Sequence, residues 1–430
     1  MLSIMRKILK TSAVLDTPPD QQDEIHSSIG GRRSRGKLGD PQFNSLLTTH
    51  LRQGVLFFAL LTIWAVLSVL TDATFISPRN LSNLLIQSCI TATLTMGMVL
   101  VIVTGYIDLS VGAVLGFLGT FMAVLLTQTD MPFFLVLILT LSLGIFIGLW
   151  HGFWIAYQKV PAFIVTLASM LVFRGAIIGL SEGRTLSVDS FRDERAMNIL
   201  ETLGSGYLPS WGLEIAIGTL QIHGGTLVLI FILIGIICTK IVYDKKKTPL
   251  KSPWPLITLG VMMSTFMGIL SLYQGIPWML LIVVLLGFLC SFLADKTVFG
   301  RRLYAIGGQP ESALYSGINQ KRYTLYLFSL MGFLVSVAGI LTVARLSAAT
   351  TSAGQNAELD AIAAAVIGGT SLMGGQGSIG GALLGALLMT SLDNGMSLMN
   401  LDATFQYVVK GLILLVAVWF DLTTRARSSH

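Results

Sequence analysis

Apolar runs near the length of a membrane-crossing helix recur from Gly54 to Phe420, with few charges inside them. A hydrocarbon core takes about 20 helical residues to cross, and within it only helices or closed barrels satisfy their own backbone. The runs are continuous rather than alternating, so the pattern specifies helices. Composition agrees, since 53% hydrophobic and 12% charged residues lie far from the balance of a soluble domain. The expected fold class is an all-α polytopic membrane protein with about ten to twelve transmembrane or re-entrant helices.

The expected spans are 54–70, 84–104, 110–126, 132–157 and 162–180, then 213–242, 254–273, 277–293, 323–345, 361–372, 377–392 and 404–420. The net charge of +6 comes mostly from short loops and tails, which explains it through topology and argues against a nucleic-acid partner. Lys245, Lys246, Lys247 and Lys251 share one loop, and Arg301, Arg302, Lys321 and Arg322 share another. Cytoplasmic retention of positive loops puts both on the inside, together with both termini, and sends the acid-rich 181–211 loop outside. The expected organisation is a mobile cytoplasmic tail over 1–50, a membrane domain over 51–424 and a short cytoplasmic tail over 425–430. Within the first tail, GRRSRGKL nearly matches a phosphate-binding loop, but Leu38 stands where the magnesium-binding hydroxyl belongs, and no strand–helix context surrounds it. ATP binding by this chain is therefore not expected.

The stretch 361–392 is too short for two full crossings and a turn, and GGQGSIGG interrupts it. A hairpin of short or re-entrant helices is expected there. The GxGxxG inside that run is read as a helix break or packing site, not a dinucleotide turn. GAVLG at Gly112, GIFIG at Gly144 and GALLG at Gly381 similarly specify close helix contacts.

Charges at membrane depth are costly and therefore informative. Those singled out are Asp108, Arg174, Arg345, Glu358, Asp360 and Asp393. Asp108 suits either a helix cap or the translocation pathway. Glu358 and Asp360 read as first-turn acids, with Arg345 as their ion-pair partner. Asp393 and Asn394 suit hydrogen bonding to a hydroxyl-rich solute as well as helix termination. Cys89, Cys238 and Cys290 lie in apolar runs, and His151 and His223 are isolated, so the pattern offers no disulfide framework, metal site or nucleophilic constellation.

Between two apolar runs, Thr297 to Arg322 forms a polar, charged loop. Glu311, Ser312, Ala313 and the distal Gly317 in ESALYSG approximate a docking pattern, with small residues where a partner must come close. This segment, together with GYIDLSVG, VPAFIVTLASMLVFRG, FGRRLYAIGG and AELDAIAAAVIGGTSLMGGQGSIGG, resembles the monosaccharide permeases of bacterial ABC importers, from about Gly54 to Asp421. Gln309 and Ser312 depart from that pattern, where Asn and Ala are usual. SLDNGMSLMN and KGLILLVAVWFD are closer to the family's D-xylose branch than to its ribose or galactose branches. The resemblance implies a lipid-embedded homodimer in the bacterial inner membrane, an ATPase subunit that binds ATP and magnesium on the cytoplasmic face, and a periplasmic sugar-binding protein. It further implies coupling through Arg301, Arg302, Glu311, Ser312, Ala313 and Gly317, a translocation pathway touching Asp108, Asp393 and Asn394, and no catalytic residues in this chain. The competing reading is an ion-coupled secondary transporter with Asp108, Asp393 or Glu358 as the coupling carboxylate.

Overall fold

Proline and small hydroxyl residues set where the long helices begin. In the computed structural model, which describes residues 41–188, 194–210, 214–217, 220–247 and 254–428, Pro132, Pro161 and Pro277 each occupy an N-cap, and Pro78 follows the cap Ser77. At these positions a missing N–H costs no helical hydrogen bond. The GRRSRGKL segment and most of the first tail lie outside the described residues.

The helices are α1 (Pro41–Leu70), α2 (Pro78–Val103), α3 (Val111–Gln128), α4 (Phe133–Ala156), α5 (Ala162–Ser181), α6 (Glu194–Ser205), α7 (Gly224–Lys247) and α8 (Trp254–Ser271). They continue with α9 (Trp278–Lys296), α10 (Val298–Gly308), α11 (Pro310–Tyr315), α12 (Gln320–Leu346), α13 (Ala357–Ile367), α14 (Ile379–Leu398) and α15 (Ala403–Ser428). By length and hydropathy α2, α3, α4, α5, α9 and α12 can each cross a bilayer, and shorter apolar helices occupy Gly54–Leu70, Gly224–Lys240, Gly260–Ser271 and Ala403–Trp419. The all-α polytopic class holds. Among the described residues, the only strands are short clips, with β1 (Leu186–Ser187) antiparallel to β4 (Ala348–Ala349) and β2 (Glu214–Ile217) antiparallel to β3 (Leu220–His223).

Several boundaries differ from the sequence expectation. Helix α1 runs from Pro41 to Leu70, across the expected edge of the tail at residue 50. The 181–211 loop holds an amphipathic helix, α6, whose Gly204 packs against the Ala344 carbonyl near the end of α12. Polar residues on one face of α6 hid it from a search for long apolar runs.

The middle of the bundle is α2, α4 and α12. Helix α2 is buried along most of its length, including Leu94, Met96, Met98, Leu100 and Ile102. Helices α4 and α12 run antiparallel with backbones in contact, Gly144 against Gly332 and Ser336, Gly148 against Phe328, and Gly152 against Leu325. Without water to drive apolar surfaces together, such close approach is a main source of helix adhesion. The GAVLG and GALLG pairs make equivalent contacts, Gly112 and Gly116 with Gly354 and Ala353, and Gly381 and Gly385 with Gly368 and Ala364.

The hairpin α13–α14 was expected as a pair of short or re-entrant helices, and the structure makes it asymmetric. Helix α14 has 20 residues, whereas α13 has 11. Non-helical chain from Ser347 to Asn356 completes the crossing before α13: it leaves the end of α12 and runs down along α3, so that Gly354 meets Gly112. The first turn of α3 shares a small cavity with Met331 and Val335 of α12, which places Gly354 and the start of α13 about 16 Å along the axis from the Leu346 end of α12.

A Gly148→Leu substitution drives a side chain into the Phe328 carbonyl, and we expect a loss of at least about 1–3 kcal/mol, the cost of overpacking. Gly179→Ala, inside α5, meets open space and should raise stability by up to about 1 kcal/mol. Thermal unfolding of both variants in detergent checks this.

Candidate functional site

Because α13 starts at membrane depth, its first-turn acids and the carbonyls before it are brought where water is scarce. Bare carbonyls there cost several kcal/mol each unless bonded. Arg174 on α5 supplies the bonds: Nη1 donates to the Ala353 carbonyl at 2.9 Å and Nη2 to the Gly354 carbonyl at 2.8 Å. Its planar fork suits two adjacent acceptors. Asn356 in left-handed conformation, φ 61°, then turns the chain into α13.

Glu358 and Asp360 occupy the first turn of α13, where the helix dipole favours negative charge. Arg345 is not their partner, and for Asp360 that place is taken by Lys410, which nothing local in the sequence links to it. Lys410 of α15 places Nζ 2.9 Å from Asp360 Oδ2 and 2.9 Å from Asp393 Oδ2. One ammonium thus joins α13, α14 and α15, with side-chain exposures of 19% for Lys410, 15% for Asp360 and 29% for Asp393. Arg345 sits near the far end of α12, a full half-helix from these acids. A single Lys inside the apolar run 404–420 was the available signal for Lys410.

Asp393 and Asn394 part company. Asp393 turns to Lys410, whereas Asn394 exchanges hydrogen bonds with Asn80 at the start of α2, at 2.8 and 3.1 Å. Asn80 Nδ2 also donates to the Phe75 carbonyl at 2.9 Å. Asn394 therefore ties two helices together, and one residue earlier on α14 the chain faces the ion cluster. Asp108 is buried and contacts neither: its Oδ1 accepts from the Ser110 amide at 2.9 Å and the Ser110 hydroxyl at 2.6 Å, ordering the turn into α3. His151 is buried with Nε2 2.8 Å from Ser169 Oγ.

On the opposite side of the bundle, the 297–322 loop is two short helices. Thr297 caps α10, accepting from the Gly300 amide, and α10 buries Leu303 and Ile306 while Arg301 and Arg302 stay exposed. Arg302 bonds the Tyr323 hydroxyl and lies 5.3 Å from the centre of that ring, which stacks on Phe299. In α11, Glu311 and Ser312 are exposed and Ala313 is buried, while Leu314 and Tyr315 stand out at 59% and 88% exposure. Gly317 follows with φ +77°, a conformation that side chains resist.

The glycine run in the hairpin links this loop to the ion cluster. Tyr304 donates its hydroxyl to the Gly377 carbonyl at 3.0 Å, and the Gly375 amide donates to the Val103 carbonyl at 2.8 Å. Gly374 and Gly375 pack on Gly307 and Gly308 of α10. The turn between α13 and α14 is thus wedged between α10 and the end of α2. Burial, with a smaller contribution from Asp295, pushes the Tyr304 phenol from 10 to about 12. The phenol therefore remains a donor throughout the physiological range.

A polytopic helical bundle with charges gathered at membrane depth and a polar two-helix loop on one face fits a solute transporter. The chain belongs to the family described as branched-chain amino acid transport system / permease component, whose model matches residues 80–418. It is a multi-pass inner-membrane transport component, not an enzyme. It is 43% identical over 393 residues to the xylose transport system permease protein of Haemophilus influenzae, covering 89% of this chain and 99% of that one. It is also 43% identical over 398 residues to the xylose transport system permease protein of Escherichia coli K12, covering 90% and 95%. The ribose import permease protein of H. influenzae is more distant, at 32% over 365 residues, covering 85% and 91%. No solved structure matches the chain significantly.

Removing the shared cation leaves Asp360 and Asp393 without a counter-charge, so Lys410→Met should destabilise by about 3–5 kcal/mol. Combining it with Asp360→Asn and Asp393→Asn should recover most of that loss, measured by unfolding in detergent. Tyr304→Phe should cost about 1 kcal/mol by orphaning the Gly377 carbonyl. The wild-type contribution is complete below pH 10 and declines as pH rises through about 12. Hydrogen exchange of the 370–378 turn against pH reads that change.

Proposed function

We propose that this chain is the membrane-spanning permease subunit of an ATP-driven, binding-protein-dependent importer of D-xylose. The observation that carries the reading is the 43% identity to two xylose permeases over nearly their full lengths, against 32% for a ribose permease. In this reading two copies form the passage, an ATPase subunit binds ATP and magnesium at the cytoplasmic face, and a periplasmic binding protein delivers the sugar. The α10–α11 side and both termini face the cytoplasm, as the positive loops require.

The ATPase engages the exposed face formed by Arg301, Arg302, Glu311, Ser312 and the Leu314–Tyr315 tip, with Ala313 buried beneath and Gly317 closing the element. A push on α10 is delivered at two points to the α13–α14 turn, through Tyr304–Gly377 and through the glycine contact. Helix α13, half the length of a crossing, carries that push from the turn to the ion cluster at its far end. The same push reaches α2 through Val103. Asp393 belongs to the passage on this account, and Asp108 and Asn394 shape its walls by holding α3 and α14 in place. Solute selection resides chiefly in the binding protein.

Labelled D-xylose uptake into proteoliposomes should require this chain, its ATPase and the binding protein together, and should be vanadate-sensitive. Gly317→Val, which forces a branched side chain into a positive φ, should reduce uptake by about tenfold or more while the membrane domain still folds. Uptake by this chain alone, driven by an ion gradient, would overturn the reading in favour of a secondary transporter.

A further inference from the structure

The ion cluster at the start of α13 indicates where a solute crosses. Its three side chains keep 15–29% exposure at membrane depth, and hydrocarbon is an unsuitable neighbour for that surface, because ionised groups within a bilayer face a protein interior or a water-filled cavity. A cavity of about 80 Å³ lies beside them, lined by Asn356, Asp360, Met389, Tyr407 and Lys410 among others. One wall therefore offers an amide, a carboxylate, a phenol and an ammonium. Asp360 Oδ1 and Asp393 Oδ1 are buried acceptors that find no hydrogen-bond partner among the described residues, a condition that costs about 1–3 kcal/mol for each group, more for a charged one.

The faces of α15 separate cleanly. Tyr407, Lys410, Gly411 and Leu414 recur at helical spacing along the cavity. Val408, Leu415 and Trp419 lie roughly a third of a turn away and form an exposed apolar face, at 56%, 65% and 63% exposure, of the kind that lipid covers. A separate apolar groove of about 450 Å³ lies on another face of α15, between it and α1, α13 and α14.

We propose that the cleft between α13, α14 and α15 is a wall of the water-filled passage, and that Asp360, Asp393 and Lys410 form a way-station for a hydroxyl-rich solute within it. The part of each carboxylate that stays exposed accepts from solute hydroxyls, Lys410 donates, and Tyr407 supplies a flat flank. Acceptors already oriented by a shared ammonium can exchange water for hydroxyl at little cost, so solute is held weakly and leaves readily. The proposal rests on the permease reading but not on which sugar is carried.

Thiol accessibility tests it in the intact complex in membrane vesicles. With Cys238→Ser as background, since Cys238 is exposed and Cys89 and Cys290 are buried, Tyr407→Cys and Gly411→Cys are compared with Val408→Cys and Leu415→Cys. Gly411 has open space around the added Cβ, so that variant tolerates its new side chain. Thiolate forms in water and is suppressed in apolar surroundings, so a charged, membrane-impermeant thiosulfonate should label the cavity pair about tenfold or more faster than the apolar-face pair. Saturating xylose-loaded binding protein with ATP should change the rate at the cavity pair alone. Equal, slow labelling of all four positions would overturn the proposal. Fast cavity labelling without ATP-driven xylose uptake would keep the passage and remove the sugar assignment, whereas uptake with silent cavity thiols would do the reverse.

Discussion

The arrangement around α13 depends on satisfying a length of unwound backbone where no water is freely available. The chain from Ser347 to Asn356 makes no helical ladder, and in hydrocarbon it would be prohibitive. Arg174 meets two of its carbonyls, and the glycine faces of α3 let it lie close enough for this to happen. A Cβ on Gly112 would overlap the Gly354 carbonyl and the Glu358 carboxylate. Small residues on α3 and a long cation on α5 are thus two halves of one solution, and the consequence is a helix that begins inside the membrane with its positive dipole end and two acids exposed to one another.

Once α13 starts there, its charges need partners, and the answer is economical. A separate cation for each carboxylate would over-stabilise one geometry. A single Lys410 shared by Asp360 and Asp393 holds three helices while leaving one oxygen of each acid uncommitted. Buried ion pairs contribute little net stability compared with apolar packing of similar volume, because desolvation offsets attraction. Their persistence at this position is better explained by what they permit: a junction held by directional contacts can open and reform, whereas a packed apolar seam resists sliding. At its other end the α13–α14 turn is held by glycine contacts and two hydrogen bonds to α10 and α2, while between its ends α13 packs Ala361 to Val366 into the same apolar core as α2 and α12.

The broad architecture was legible in the sequence because hydropathy reports it directly. The membrane helices, the polar 297–322 loop and the breaking of the last hairpin all carry a local signature of apolar length, charge or glycine. The GxxxG-spaced pairs at Gly112, Gly144 and Gly381 were legible as contacts for the same reason, although their partners were not. What stayed hidden is pairing across distance. Arg345 looked the natural partner for Glu358 and Asp360 because it is near in sequence, but α12 carries it to the far end of the bundle, and the unwound segment carries the acids back. Lys410 lies 50 residues from Asp360, and nothing local in either segment links them. Neighbours in sequence were equally misleading: a helix turns about 100° between successive residues, so Asp393 and Asn394 serve different partners.

In the proposed coupling, this separation lets the docking surface and the solute wall stay apart without a long mechanical chain. The α13–α14 turn is one structural piece, with Gly374 and Gly375 on α10 at one end and Asp360 with Asp393 on Lys410 at the other. Helix α13 spans only about 16 Å, so a displacement of its turn by a few ångströms reaches the ion cluster with little loss through bending. The broken crossing is therefore the feature that lets a force applied outside the membrane alter a polar junction inside it, and the glycines, Arg174 and Lys410 are the residues that make such a break compatible with a bilayer.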